Sequence, residues 1–429
     1  MIQHYFKQAW VLIKQNRLYT FIYIAGTGLA IALTMTIFII FYIKLAPVYP
    51  EYNRAEILVL KRMLVENEKE GNQSSSSVSY ALIRDVFPHL KHLKQVAAIY
   101  EDADSKMIDL PDQKEPFFVK SLCVNADFWQ VFTFDFMAGK PFSEADVSSV
   151  LHRVVISESL ARRIFATVDV VGKHFSMDAD DYQVCGVVKD VSSATPVTAA
   201  DIWLPLTLEP QALEIRKEGR MLGPLSYYMI PEEGQKETLR SEIENVFRTI
   251  NAPLGDWQYD LMGQPDDYWL STFRVWSNQE VDLWDILKNL GITLLALILI
   301  PAMNLSGMIS SRMGHRLGEM GVRKAFGATR FGLVKQLLWE NLLLTCLGGL
   351  VGLFLSYIIM ITASDWILTL FDSFVEETTA TSITFEMLFN PAIFIIAFGI
   401  CIVLNFISAL IPTIWALRHS IVYSLTSKR

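Results

Sequence analysis

Four stretches of this chain, 18–43, 289–311, 341–364 and 387–417, contain no Asp, Glu, Lys or Arg. Each is long enough to cross a bilayer, which takes about 20 apolar residues at ~1.5 Å per residue. The first follows Lys7, Lys14 and Arg17 and contains Ala30-Ile31-Ala32, which resembles a cleavage site. Its apolar run continues to Ile43, too far for a cleaved signal sequence, so it reads as an uncleaved anchor. Composition agrees: 52% of residues are hydrophobic and 19% charged, against roughly 25% charged in soluble domains. Intrinsic disorder, collagen and a small disulfide scaffold are excluded. A net charge of −8 excludes a general nucleic-acid binder, which needs a basic face.

Charge orients the spans. Residues 1–17, the loop 312–340 and the tail 418–429 together carry +10, whereas 44–288 carries −13 and 365–386 carries −5. Basic loops stay in the cytoplasm, so both termini and the middle loop are expected inside and 44–288 outside. Trp284, Trp339, Trp366 and Trp415 fall near the expected span ends, where an aromatic belt forms. The predicted order is a cytoplasmic amphipathic helix (1–17), a first span (18–43) and an extracytoplasmic domain (44–288). A second span (289–311), a cytoplasmic region (312–340), a third span (341–364) and an outer loop (365–386) follow. A fourth span (387–411) and a cytoplasmic tail (412–429) complete it. The fold class is thus a membrane protein with four transmembrane α-helices and a large outer domain between the first two.

Ile2, Tyr5, Phe6, Ala9, Trp10 and Ile13 share one face of the N-terminal helix. It lies in the membrane interface or packs on its own protein. In the outer segment, Ile57-Leu58-Val59-Leu60 reads as a strand, 79–87 as a short helix, and 153–157 as a strand feeding a helix over 159–165. Asp180-Asp181 reads as a turn before a strand over 182–188. Strands and helices interleave, so α+β or α/β is expected rather than all-β. The polar stretch 66–78, which ends in four serines and a valine, reads as a flexible loop. Within the membrane, Gly26-x-x-x-Ala30 and Gly348-x-x-x-Gly352 put small residues on one helix face and allow close helix packing. Pro301 and Pro412 are expected to kink or end their helices.

Catalytic motifs are missing from these residues. Gly-Lys at 139–140 and 172–173 is followed by Pro and His, so no Walker A loop is present; neither H-E-x-x-H nor G-x-S-x-G occurs. No catalytic residue and no metal site are expected. His89-x-x-His92 lies beside Lys91 and Lys94 and reads as a solvated helix rather than a metal pair. Asp178-x-Asp180-Asp181 reads as a turn, lacking the Gly and bidentate Glu of a calcium loop. Cys123 and Cys185 share the outer side in strand-like contexts, as two buried thiols or one disulfide.

The cytoplasmic loop is the informative stretch. Helical character runs to Ala325, breaks at Gly327-Ala328-Thr329, and restarts with Thr329 as N-cap. Glu319 and Arg323 sit i, i+4 on one face of a short projecting helix. The run Glu319-Met-Gly-Val-Arg-Lys-Ala-Phe-Gly-Ala-Thr329 resembles the signature of the FtsX-like permease domain of MacB-type ABC transporters. Asn16-Arg-Leu-Tyr-Thr-Phe-Ile22 resembles that family's lead into the first span. Val154-Val-Ile-Ser-Glu-Ser-Leu-Ala-Arg-Arg-Ile-Phe165 and Tyr182-Gln-Val-Cys-Gly-Val-Val-Lys-Asp190 resemble its periplasmic core domain.

The resemblance implies a permease subunit that works as a dimer with a second copy or homologue in the inner membrane. A separate cytoplasmic ABC ATPase would bind ATP and Mg and drive movement of the outer domain, with a periplasmic adaptor as a further partner. It places ATPase contact on Arg316, Glu319, Arg323, Lys324 and Gly327. Two departures stand out: MacB itself carries a fused ATPase domain, and the tail lacks the Pro that usually precedes the final Val422-x-x-Leu425. A regulator of a cell-wall hydrolase, a lipoprotein-releasing permease and a membrane sensor without ATPase are the rival readings.

Overall fold

The computed structural model describes residues 17–67, 69–100, 105–109, 115–192, 194–216, 219–274, 279–293 and 325–371, with 295–296, 322, 395–396, 398–399 and 402–403. The chain divides into two compact units, residues 1–42, 283–367 and 385–429 in one, and 43–282 with 368–384 in the other. The N-terminal amphipathic stretch and the tail lie outside the described residues, as does most of the second and fourth expected spans.

Among the described residues, two helices are long and apolar enough to cross a membrane, over Thr20–Leu45 and Leu342–Thr362. The second belongs to one unbroken helix, Arg330–Phe371, of 42 residues. At 1.5 Å per residue it is about 63 Å long, roughly twice the hydrocarbon thickness of a bilayer. Sequence reading divided this rod among a cytoplasmic region, a span and an outer loop, because charge marks the membrane edge and not the helix end. The two helices pack through glycines. A Cβ on Gly352 would lie 2.7 Å from the Gly28 carbonyl oxygen, and one on Gly348 would lie 2.6 Å from Thr27 Oγ1. On the first helix the contact runs through Thr27, Gly28 and Ile31, whereas Gly26 is exposed and Ala30 half-buried. Gly349 in turn faces the ring of Phe398.

The outer unit is built on a mixed sheet. Its strands are β1 (Leu58–Leu60), β2 (Arg62–Asn67), β3 (Asn72–Ser77), β4 (Leu93–Tyr100) and β5 (Lys106–Ile108). Then come β6 (Phe117–Val119), β7 (Ser121–Val124), β8 (Phe136–Gly139), β9 (Arg153–Ser157) and β10 (His174–Met177). The last are β11 (Asp180–Val188), β12 (Ile202–Pro205), β13 (Leu225–Pro231), β14 (Trp257–Asp260) and β15 (Asp266–Asp267). The large sheet runs β15-β1-β13-β4-β7-β12-β9-β11-β10-β5-β6, with β8 added on β11; β14-β2-β3 form a smaller sheet. Pairings β7–β12 and β9–β11 are parallel, the others antiparallel.

Successive residues of a strand point to opposite faces, and here both faces are covered. Leu58, Leu60, Tyr227 and Met229 enter one core, closed by Leu239, Ile243 and Phe247 of the helix Lys236–Asn251. Ile57, Val59, Tyr228 and Ile230 enter the other, closed by Phe128, Phe132, Phe134 and Trp203. Two-sided burial explains why these strands read as unbroken apolar runs.

Local readings meet the structure unevenly. The strand at 153–157 feeds the helix Glu158–Phe165, capped by Ser157, whose Oγ accepts from the Leu160 amide. The stretch 66–78 is not a loop throughout: its serines form β3, paired in register with β2. Ser74 and Ser75 are exposed and Ser76 and Ser77 half-buried; the pairing uses backbone groups that side-chain chemistry does not announce. The turn expected at Asp180-Asp181 lies at Asp178-Ala179, both at positive φ, and Asp180 already pairs with Met177. His92 lies outside any helix and hydrogen-bonds Glu242 Oε1 at 2.8 Å. Cys123 and Cys185 are free thiols, pushed up to about 12 by burial. Cys123 enters the first core and Cys185 packs against the second, so the sheet separates them.

Candidate coupling site

The outer domain is joined to its membrane helices by an incoming segment, 46–57, and an outgoing one that is described over 266–274. Neither is a slack linker. Val48, Tyr49, Glu51 and Arg54 are buried. Tyr49 accepts from the Asp135 amide and donates to the Lys189 carbonyl. Asn53 Nδ2 donates to the Val131 carbonyl at 3.1 Å, and the Pro50 carbonyl accepts from the Thr133 amide at 2.9 Å.

At the centre is an ion pair withdrawn from water. The side chains of Glu51 and Arg54 are 0% and 3% exposed. Arg54 Nε and Nη2 each lie 2.8 Å from Glu51 Oε2. Thr198 Oγ1 donates to Glu51 Oε1 at 2.8 Å, and the Tyr268 hydroxyl donates to Oε2. Arg54 Nη1 donates to the carbonyls of Ile43 at 2.6 Å and Ala46 at 2.7 Å. Those carbonyls belong to the last turn of the first helix and the residue past it, where backbone acceptors lack intrahelical partners and a cation is favoured. The guanidinium lies 5.0 Å from the Tyr268 ring centroid. A buried pair is tolerated when its remaining donors and acceptors are satisfied, and this carboxylate accepts from three side chains. Burial lowers the Arg54 affinity for its proton, but Glu51 and Tyr268 outweigh it and the net direction is up. Burial, then the Glu51 charge, raises Tyr268 well above the phenol range, so it stays a hydrogen-bond donor.

A second set holds the outgoing segment. β15 pairs with β1, so the two connections run side by side. Arg274 grips Asp266 with two nitrogens, at 2.7 and 2.9 Å, and both side chains are buried. Arg274 also reaches the carbonyls of Met262 and Gln279. Asp267 pairs with Lys236 and Arg240; burial pushes its carboxyl up, but the two cations hold it below the usual range. Lys236 further donates to the Ala55 carbonyl, so the helix Lys236–Asn251 touches both connections.

Just ahead of the long helix, Gly327 has φ +91°, a backbone state few other residues adopt. The long helix restarts at Arg330, with Thr329 Oγ1 accepting from the Gly332 amide at 3.2 Å. Arg316, Glu319, Arg323 and Lys324 lie outside the described residues. Residues 20–246 match the MacB-like periplasmic core domain and residues 291–421 the FtsX-like permease C-terminal domain. The chain belongs to the MacB/FtsX-like permease family.

Its relatives are distant. The macrolide export ATP-binding/permease protein MacB of Shewanella sp. (strain W3-18-1) is 22% identical over 82% of this chain and 52% of that protein. The uncharacterized ABC transporter permease YknZ of Bacillus subtilis (strain 168) is 20% identical over 54% of this chain and 55% of that one. The chain spans about half the length of these relatives. The periplasmic region of MacB from Actinobacillus actinomycetemcomitans superposes at a TM-score of 0.33 and 15% identity, over 49% of this chain and 92% of that structure. The extracellular domain of YknZ superposes at 0.34 and 16%, over 47% and 98%. In this permease the family's periplasmic core domain includes the incoming segment and most of the large sheet, and the long helix falls in its FtsX-like part.

Sequence reasoning passed over Glu51, Arg54 and Tyr268. Pro50-Glu-Tyr-Asn-Arg54 has the composition of a surface turn, and Tyr268 lies 217 residues from Glu51. The available hint was an acid and a base three apart directly after an apolar span.

Proposed function

We propose that this permease couples ATP hydrolysis by a separate cytoplasmic ABC ATPase to movement of its periplasmic domain, without passing substrate through the bilayer. The long helix carries the reading. A rod of 42 residues that begins just past the Gly327 break offers a stiff path from a cytoplasmic contact across the membrane. ATP and Mg belong to the partner subunit. The permease sits in the inner membrane with both termini cytoplasmic, acts as a dimer, and serves export of an envelope substrate with a periplasmic adaptor. Its uncharged spans suit this, because ionisable groups inside a membrane commonly mark a substrate or ion path.

Affinity purification from native membranes tests the proposal. An ABC ATPase is expected to co-purify, and ATP turnover is expected of the complex and not of the permease freed from it. Turnover by the isolated chain would overturn the reading, as would a native complex lacking an ATPase. Topology has its own test. Ser74 is exposed on β3, so Ser74→Cys in whole cells is expected to react with a membrane-impermeant thiol reagent. Labelling only after lysis would place the domain on the wrong side.

A further inference from the structure

A flexible linker between a moving helix and a domain would absorb displacement. The incoming segment does the opposite. Arg54 binds the carbonyls of Ile43 and Ala46 at the end of the first helix through one nitrogen, and Glu51 through its other two. Glu51 is held from the far side by Thr198 and by Tyr268 of the outgoing segment. Apolar side chains would fill the same space at lower desolvation cost. Directional, charge-assisted bonds add resistance to sliding and rotation that apolar contacts lack.

We infer that Glu51, Arg54 and Tyr268 form a mechanical joint that makes the end of the first helix move with the periplasmic domain. They are positioning residues, and their role in coupling rests on the function proposed above. Arg54→Lys keeps the charge, but a point-like ammonium cannot reach two carbonyls and a carboxylate together. Tyr268→Phe removes one donor and keeps the ring.

Hydrogen exchange on the full-length permease with its ATPase, in lipid nanodiscs, tests the joint. In wild type the amides of Glu51, Glu56 and Ile57, bonded to the carbonyls of Val48 and Asn53, should exchange slowly. In both variants exchange across 43–57 should quicken about tenfold or more, the range of one lost charge-assisted bond, while β4 and β13 stay protected. ATP turnover should stay within about twofold, while the ATP-dependent change in domain exchange disappears. A purely structural role would leave that change intact. Unchanged exchange over 43–57, or a wild-type response to ATP in folded variants, overturns the joint. If Arg54→Lys unfolds the domain, β13 exchanges too and Tyr268→Phe carries the test. If wild type turns over ATP with no response in the domain, the coupling function fails, while exchange over 43–57 still decides the joint.

Discussion

Arg54→Met is expected to destabilise the periplasmic domain by about 3–5 kcal/mol, the usual cost of leaving a buried charge without its partner. Methionine matches much of the volume, so packing loss is small and the penalty is electrostatic. Glu51, 0% exposed, would keep the hydroxyls of Thr198 and Tyr268 but lose the cation that compensates it. The carbonyls of Ile43 and Ala46 would lose their donor as well. Glu51→Gln combined with Arg54→Met removes both charges. The double variant should lose less than the sum of the single ones, with a coupling of about 1–3 kcal/mol between contacting residues. Urea unfolding of the full chain in detergent, followed by tryptophan fluorescence, reads both quantities. Trp203, packed in the second core, reports the domain. A loss under about 1 kcal/mol for Arg54→Met would mean that the pair behaves as a solvated surface bridge.

What could be read ahead of the structure follows from how far each feature reaches along the chain. The two long apolar helices among the described residues were legible because lipid forbids charge over about twenty consecutive positions. The strand and helix at 153–165 were legible because Ser157 begins a helix with its own hydroxyl. β3 was missed because four serines look like a loop when the partner strand is not in view. Gly26 and Gly28 differ only in which side of the helix they occupy, and the facing helix, more than 300 residues later, decides that. The joint was the least legible part. Glu51 and Arg54 look solvated until Thr198 and Tyr268, far along the chain, close over them.

The loop expected in the cytoplasm offers a test of comparable size. Glu319 and Arg323 stand four apart, beside Lys324 and ahead of the Gly327 break. On a free, solvated helix such a pair contributes a few tenths of a kcal/mol, so reversing one charge there should cost well under about 1 kcal/mol and leave the fold intact. Docked into a cleft of the ATPase, the same pair loses water. Removing one charge then strands the other, at a cost of about 2–5 kcal/mol of association. Each 1.4 kcal/mol is about tenfold in affinity, so the loss reaches roughly 30-fold or more. Glu319→Arg should therefore abolish ATPase co-purification while the protein still inserts and its domain unfolds at the wild-type urea concentration. Glu376→Arg, in the acidic loop expected outside, changes charge equally and should leave the complex whole. Retention of the ATPase by Glu319→Arg at wild-type yield would remove this charged pair from the proposed coupling path. The force on the long helix would then have to enter past the Gly327 break, at or beyond Arg330.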